Sequence, residues 1–529
     1  MAKKPNVIVM FIDDMGYGDL SCLNENSKLQ TSNIDALADT GIRLTDCHST
    51  SALCTPSRYG ILTGRYNWRS RLKQGVLPGG SDPLIESGRE TLATLFKRQG
   101  YYTAAVGKWH LGLGWERKEI DEENTGFPKE VVKNIKNPFQ KEFMLDGLNI
   151  DFTKPLKVSP NDYGFDYFFG TAASLDQPPY VYIENREVQA VPDHFIGVFP
   201  LDRAEATQQQ ECQRGPAAPG YQIENVIDDM HAKVLELVDA HADAEEPFFL
   251  YYPTHAVHGP LLPPADYQGK SGLNVYGDMV LYVDHLVETL RAKLEEKGIL
   301  EDTIFIFASD NGCSGVADYP LLTSKGHNPS YIFRGKKADI YEGGHRIPAI
   351  ISWPGHLAGG ETCGQLLCLS DLYATFAETF GEEIPADAAE DSFSILPALK
   401  ENKPVRTSVV HSSGDGSFSI RTQDWKLELT RTSGGMTAPG KEVPIEPTTS
   451  EEVPYQLYNL TEDVRERKNV AADHPDVCLA LVQELITIIE NGRSTPGEVQ
   501  ENAGTESWRQ LAALYELAEK IRKNKAAKE

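Results

Sequence analysis

The sequence lacks any apolar run near the ~20 residues that a helix needs to cross a bilayer, so no membrane span is expected. It lacks paired cysteines. Cys22, Cys47, Cys54, Cys212, Cys313, Cys363, Cys368 and Cys478 are scattered, with no C-x-x-C pair and no zinc spacing. One or two disulfides are compatible with that scatter, but a fold of this size does not depend on them. Basic charge is short: 51 Lys and Arg stand against 77 Asp and Glu, a net charge of -26. Such a surface excludes nucleic acid and anionic membrane as general partners. An anionic substrate would need a local basic pocket working against the overall field. No internal repeat is present. The N-terminal MAKKPNVIVMFIDD has an apolar run too short for a signal peptide and reads as a first strand. The expected location is the cytoplasm if this N-terminus is native, and the periplasm or exterior of a bacterium if a leader was removed.

What is present is ordinary globular composition, 40% hydrophobic with 44 glycines, over 529 residues. That length predicts one large domain and a smaller one. Val7–Ile12, Tyr101–Val106, Phe248–Tyr252 and Thr303–Ala308 are continuous apolar runs, the pattern of strands buried on both faces. Helical spacing at Asn33–Asp39, Thr91–Gln99 and Tyr276–Lys297 alternates with them. The fold class is therefore α/β, with a large doubly wound mixed sheet flanked by helices over residues 1–400. Residues 371–380 read as its last helix and 386–404 as a linker. Residues 117–160 and 185–222 read as loops over the site. From 401 to 529 the pattern becomes a smaller α+β domain. Short strands are expected at Thr407–His411, Ser417–Thr422 and Trp425–Thr430, then a polar loop over 433–453, then helices at Pro475–Asn491 and Ser507–Lys525.

The predicted strands end in reactive residues. Asp13-Asp14 and Asp310-Asn311 lie far apart in sequence, yet each follows an apolar strand directly. Ligands in open α/β sheets bind beyond such strand ends, and carboxylate and amide oxygens suit Ca²⁺ or Mg²⁺. Taken alone, each pair could equally cap a helix. Lys108 and His110 stand two apart in an extended segment and should face the same way. His258, in HAVHGP, sits in a stiff loop with His255 as its competitor. Cys54 precedes Pro56, which suits the first position of a helix. Cys54 would then lie at a helix N-terminus that favours an anion, with Arg58 one turn on; the alternative is an inert buried thiol. The Arg334–Arg346 stretch is basic and glycine-rich in an acidic chain, or simply a solvated loop.

VIVMFIDDMGYGDL, CTPSR with its trailing TGR, GKWHLG, FASDNG and RGKKADIYEGGHRIP resemble, in order and spacing, the motifs of the type I, formylglycine-dependent sulfatases of the alkaline phosphatase-like superfamily. Leu457–Asp463 resembles their C-terminal region, and the similarity spans most of residues 5–470. The resemblance implies that Cys54 is converted to formylglycine (3-oxoalanine) by a formylglycine-generating or anaerobic sulfatase-maturing enzyme, and that the hydrated aldehyde attacks sulfur. It implies Asp13, Asp14, Asp310, Asn311 and the modified Cys54 as ligands of Ca²⁺, with Mg²⁺ as the alternative. Arg58 would bridge the formylglycine and the metal. Lys108 and Lys337 would hold the sulfate; Lys337 rather than Lys336 aligns, because the tyrosine before Glu-Gly-Gly comes four residues later. His110 would help collapse the covalent intermediate, His258 would protonate the leaving oxygen, and Ser174 would line the sulfate pocket.

Asp339, His345 and Arg346 lie beside Lys337 and could bind hydroxyls, which favours a sulfated carbohydrate; Asp176 and Asn161 are further candidates. GHNPS and the basic stretch after it resemble sulfatases acting on galactose or N-acetylgalactosamine 6-sulfate. The rival readings are a phosphonate or phosphodiester hydrolase of the same superfamily and a non-catalytic protein that binds sulfated glycans.

Overall fold

The computed structural model describes residues 4–119, 145, 147–197, 212–437, 454–504 and 508–526. The loops expected over 117–160, 185–222 and 433–453 fall partly outside those residues.

The Asn6–Ile12 strand is buried at every position. Its apolar, largely β-branched side chains leave it no polar face, so it is stable only with both faces covered. It runs parallel between Phe248–Pro253 and Thr303–Ser309, which are buried just as completely. Tyr102–Lys108 pairs in parallel with Phe248–Pro253, and Tyr167–Thr171 with Tyr102–Lys108. These five strands form the middle of a 10-stranded sheet. Ala349–Ser352 joins Thr303–Ser309 in the antiparallel sense and is followed by Gly41–Leu44 and Glu361–Cys363. Two short strands, Ile183–Glu184 and Glu187–Val188, complete the opposite edge. The sheet is therefore mixed, with a parallel centre.

Helices flank it in two groups. Val275–Glu296 packs with Ser32–Asp39 and Val226–His241, while Cys54–Thr63, Leu92–Arg98 and Leu372–Phe380 pack together. Asn274 and Thr91 fix two of the helix starts by accepting backbone N–H groups with their side chains.

The C-terminal part is a four-stranded antiparallel sheet of Val409–Ser412, Phe418–Arg421, Trp425–Glu428 and Gln456–Asn459. The helices Pro475–Glu490 and Arg509–Ala526 pack on each other beside it. The fourth strand, Gln456–Asn459, was not among the strands expected from sequence. Tyr66 and Trp68 of the large domain insert into this second core. The stretch read as a linker is packed: it contains the helix Leu396–Glu401, and its buried Asp391 holds Arg69 at 2.7 Å. Among the described residues all eight cysteines are free thiols, and no helix is long and apolar enough to cross a membrane.

Candidate active site

Thr303–Ser309, Asn6–Ile12, Phe248–Pro253 and Tyr102–Lys108 are consecutive neighbours in the sheet and mutually parallel. Their C-terminal ends therefore emerge side by side, carrying Asp310-Asn311, Asp13-Asp14, His255 to His258, and Lys108 to His110. Residues far apart in sequence meet in one row because the strands beneath them do.

Cys54 comes from the side. The buried helix Cys54–Thr63 has Leu53 as its N-cap, so Cys54 is its first residue and Pro56 its third. Pro56 thus does not occupy the first position expected of it. It is tolerated because the first four N–H groups of a helix have no intrahelical partner. Ligating atoms of Asp13, Asp14, Cys54 and His258 all lie within 4.8 Å of one another.

Charges interlock around this point. Arg58, one turn along the helix, donates to Asp310 Oδ2 at 2.8 Å and to the Lys108 carbonyl at 3.0 Å. It also lies 3.5 Å from Asp13 Oδ1. Lys108 Nζ meets Asp13 Oδ2 at 2.6 Å, and Lys337 Nζ meets Asp14 Oδ1 at 2.6 Å. Asn311 donates to Asp14 Oδ1 at 2.7 Å, and the Asp14 N–H donates to Asp310 Oδ1 at 3.1 Å. Asp14 has φ +63°, a turn that a short polar side chain tolerates better than most.

His110 does not follow the expected strand alternation. The strand ends at Lys108, and His110 has φ +56°. Its Nε2 donates to the Leu77 carbonyl at 2.8 Å, so Nδ1 is a bare acceptor, buried and without a partner among the described residues. His258 donates from Nδ1 to the Gly259 carbonyl at 2.7 Å. Its Nε2 lies 3.7 Å from Asp14 Oδ2, and its side chain is 15% exposed. Asp176 stands 3.9 Å from His258 with its side chain 36% exposed. Ser174 is buried, with its hydroxyl unpartnered among the described residues.

Asp339, His345 and Arg346 are placed otherwise than the sequence reading expected. Asp339 is fully buried and accepts from the backbone N–H groups of Thr437 and Lys336. His345, also fully buried, has Nδ1 on His48 at 2.9 Å and Nε2 3.0 Å from Lys426 Nζ. Arg346 is held by the Thr45 carbonyl, Glu342 and Asp46. Their polar groups are engaged inside the protein rather than turned to a sugar. Asn161 braces a turn, donating to Phe165 O and Asn185 Oδ1.

The electrostatics follow from burial and neighbours. Burial alone would raise Asp13, but Lys108, His258, Arg58 and Lys337 outweigh it and hold the carboxyl well below its usual range. Asp310 is pushed up to about 7 by burial and by the nearby Asp13. Burial and Lys337 oppose protonation of His258, but Asp14, Asp13 and Asp176 prevail and raise it to about 9. Burial, then Lys108 and Arg58, keep His110 well below its ordinary value and hence neutral.

The residues fit a hard cation. Asp13 Oδ1 and Asn311 Oδ1 are buried acceptors that receive no hydrogen bond among the described residues. An all-oxygen donor set of this kind suits Ca²⁺ or Mg²⁺.

The sulfatase family model matches residues 5–382. The chain belongs to the sulfatase family. It is 32% identical to an N-acetylgalactosamine-6-O-sulfatase of Bacteroides thetaiotaomicron over 93% of both chains. It is 31% identical to human arylsulfatase A, over 91% of this chain and 87% of that one. A solved structure concerning the metabolism of multiple glycosaminoglycans by Bacteroides thetaiotaomicron superposes with a TM-score of 0.77 at 31% identity, covering 92% of this chain and 99% of the other. This sulfatase is thus a sulfuric ester hydrolase. Its family works with a formylglycine and a divalent metal, and the groups at the strand ends are among those close enough to hold one.

Sequence reasoning passed over Thr171, whose hydroxyl meets His255 Nε2 at 2.7 Å. No local signal marks it, because the contact depends on which strands are neighbours.

Proposed function

We propose that this sulfatase releases inorganic sulfate from a sulfated sugar, with the 6-O-sulfate of galactose or N-acetylgalactosamine as the preferred ester. The observation that carries the reading is Cys54 at a buried helix start, within 4.8 Å of Asp13, Asp14 and His258. The name of the Bacteroides relative supports the sugar.

Cys54 is the residue to be converted, by a formylglycine-generating or anaerobic maturing enzyme, and the resulting hydrated aldehyde supplies the nucleophile. Asp13, Asp14, Asp310 and Asn311 would hold a calcium ion, whose charge supplies polarisation of the sulfate oxygens. Lys108 and Lys337 each meet a carboxylate of the adjacent pair Asp13-Asp14. As cations they stabilise charge growing on the sulfate. Arg58 is anchored by Asp310 and the Lys108 carbonyl, so it presents a fixed charge that needs no reorganisation. Gly259 holds the Nδ1–H of His258, which leaves Nε2–H to protonate the departing sugar oxygen. Leu77 fixes the tautomer of His110, so that its Nδ1 takes up the proton released when sulfate is expelled. Ser174 lines the pocket, and the half-open Asp176 is the group on hand for a sugar hydroxyl.

Mass spectrometry of the Cys54 peptide from active protein should show formylglycine; an intact thiol there overturns the mechanism. Monosulfated galactose, N-acetylgalactosamine and N-acetylglucosamine isomers should separate by position, with the 6-sulfates fastest. Indifference to position overturns the substrate assignment.

A further inference from the structure

His255 lies in the loop that follows Phe248–Pro253 and carries His258, 1% exposed, and the chemistry above gives it no task. Its hydrogen bonding is decided by its neighbour. The Thr171 hydroxyl donates to the Ala173 carbonyl at 2.8 Å, so toward His255 Nε2, at 2.7 Å, it can only accept. His255 therefore carries its proton on Nε2. Nδ1 is a bare acceptor, buried and without a partner among the described residues. Burial, followed by the charge of Lys108, holds the ring near a pKa of about 3, so it stays neutral and moves no proton itself.

The topology gives this hydrogen bond its significance. Phe248–Pro253 and Tyr167–Thr171 are not neighbours; Tyr102–Lys108 lies between them. Thr171 is the register partner of Lys108. The imidazole thus reaches from the loop after one strand, across the end of a second, to the end of a third. On its own side, the His255 carbonyl accepts the His258 N–H at 3.0 Å, and the Val257 N–H donates to the Asp13 carbonyl at 2.7 Å. On the far side, the Thr171 and Ala172 carbonyls accept the N–H groups of Trp109 and His110 at 3.1 and 2.9 Å. Ser174 follows immediately. One side-chain bond therefore ties the segment bearing His258 to the segments bearing His110 and Ser174.

We propose that His255 is a positioning residue for the leaving-group step: through Thr171 it fixes His258 in register with the sulfate pocket. The proposal rests on reading His258 as the proton donor. An apolar ring of similar size would fill the space without leaving a bare buried nitrogen, whose desolvation costs free energy. What the imidazole adds is the Nε2–H bond.

The test compares two esters in the full-length protein. Galactose 6-sulfate has a poor leaving group and needs a proton; 4-nitrophenyl sulfate has a good one and does not. His255→Phe should lower kcat on galactose 6-sulfate by roughly 10²-fold and leave kcat on 4-nitrophenyl sulfate within about threefold, with KM little changed for either. His255→Gln, which keeps an N–H at the Nε2 position, should recover most of the loss. Thr171→Val should reproduce the selective loss and Thr171→Ser should not, which keeps the test open if His255→Phe fails to fold. Equal losses on both esters, or a glutamine variant as poor as the phenylalanine one, overturn the proposal. His258→Ala separates the two levels. If it spares 4-nitrophenyl sulfate while His255→Phe does not, His255 is merely structural. If His258→Ala damages both esters alike, the proton-donor reading fails and takes the proposal with it.

Discussion

Beyond the ends of the central strands, Asp13, Asp14 and Asp310 face Arg58, Lys108 and Lys337. Where the small sheet meets the large domain, Asp46, Glu342, Glu428 and Glu466 face Arg346, Arg421 and Lys426. Both clusters are buried and both nearly balance in charge. They differ in access. In the seam Lys426 meets Glu466 at 2.6 Å, Glu342 at 3.2 Å and Glu428 at 3.3 Å, all fully buried, and the atoms left without a hydrogen bond there, Glu428 Oε2 among them, are closed off from solvent. In the strand-end cluster Asp13 Oδ1, Asn311 Oδ1, His110 Nδ1 and the Ser174 hydroxyl accept nothing among the described residues, and the edge at His258 and Asp176 is open. Buried charge alone does not make a site; unengaged groups beside an opening do.

Histidines repeat the lesson. Nitrogens of His48, His345 and His411 come close enough for one metal ion. Yet the His345 and His411 rings stack with centroids 3.7 Å apart and planes at 12°, so they cannot both aim at a common point. The Lys426 ammonium also lies 3.0 Å from His345 Nε2.

The comparison predicts that the seam governs stability and the strand ends govern activity. The largest effect is expected from Lys426→Met. Removing one partner of a buried ionic network should cost about 3–5 kcal/mol of unfolding free energy, while the kcat of the molecules that remain folded is unchanged. A variant that unfolds normally but is inactive would break the division.

Next is His48, which burial lowers to about 4. The unfolded chain takes up that proton first as pH falls from about 6.5. His48 therefore contributes stability that is complete above 6.5 and lost as pH drops through about 4, at most about 3 kcal/mol. Glu428 and Glu466, raised by burial, act in the opposite sense. The quantity to measure is the difference between wild type and His48→Gln in denaturant unfolding at pH 7 and pH 4.5. An unchanged pH slope in the variant would remove His48 from the account.

The smallest expected shift comes from a chelator. Removing a cation present at a hundred times its Kd should lower stability by about 2.7 kcal/mol, together with loss of activity. Asp13→Asn should blunt the stability response. A chelator-insensitive enzyme would sharpen the contrast in the other direction, leaving the strand-end oxygens without a cation to hold.

Much of this was legible because parallel strands announce themselves. Val7–Ile12 and its three relatives are unbroken apolar runs, and the polar residues that stop them had to emerge at strand ends. Sequence could not say which strands are neighbours, so Thr171 stayed hidden. Nor could it tell which way a loop residue turns. Asp339, His345 and Arg346 sit close to Lys337 in the chain, but only Lys337 reaches the strand-end carboxylates, while His345 and Arg346 join the seam. Gln456–Asn459 escaped notice as a strand because four residues after a polar stretch carry little periodicity. Its pairing with Trp425–Glu428 is what makes it one. His110 and Pro56 missed their expected geometry by one or two residues, the scale on which tertiary context overrides local preference.

The central strand has a further consequence for how the protein comes off the ribosome. Asn6–Ile12 is made long before the strands on either side of it, which begin at Phe248 and Thr303. Asp14 waits for a bond from Asn311, 297 residues later, and for Lys337, 323 residues later. Contacts of such long range form slowly, and an unpaired apolar strand is exposed to aggregation meanwhile. A nascent chain cut short before Lys337 holds Cys54 but not the lysine that completes its surroundings. The strand-end cluster is therefore assembled only once the chain has been made past Lys337: no fragment from its first half can bring these groups together.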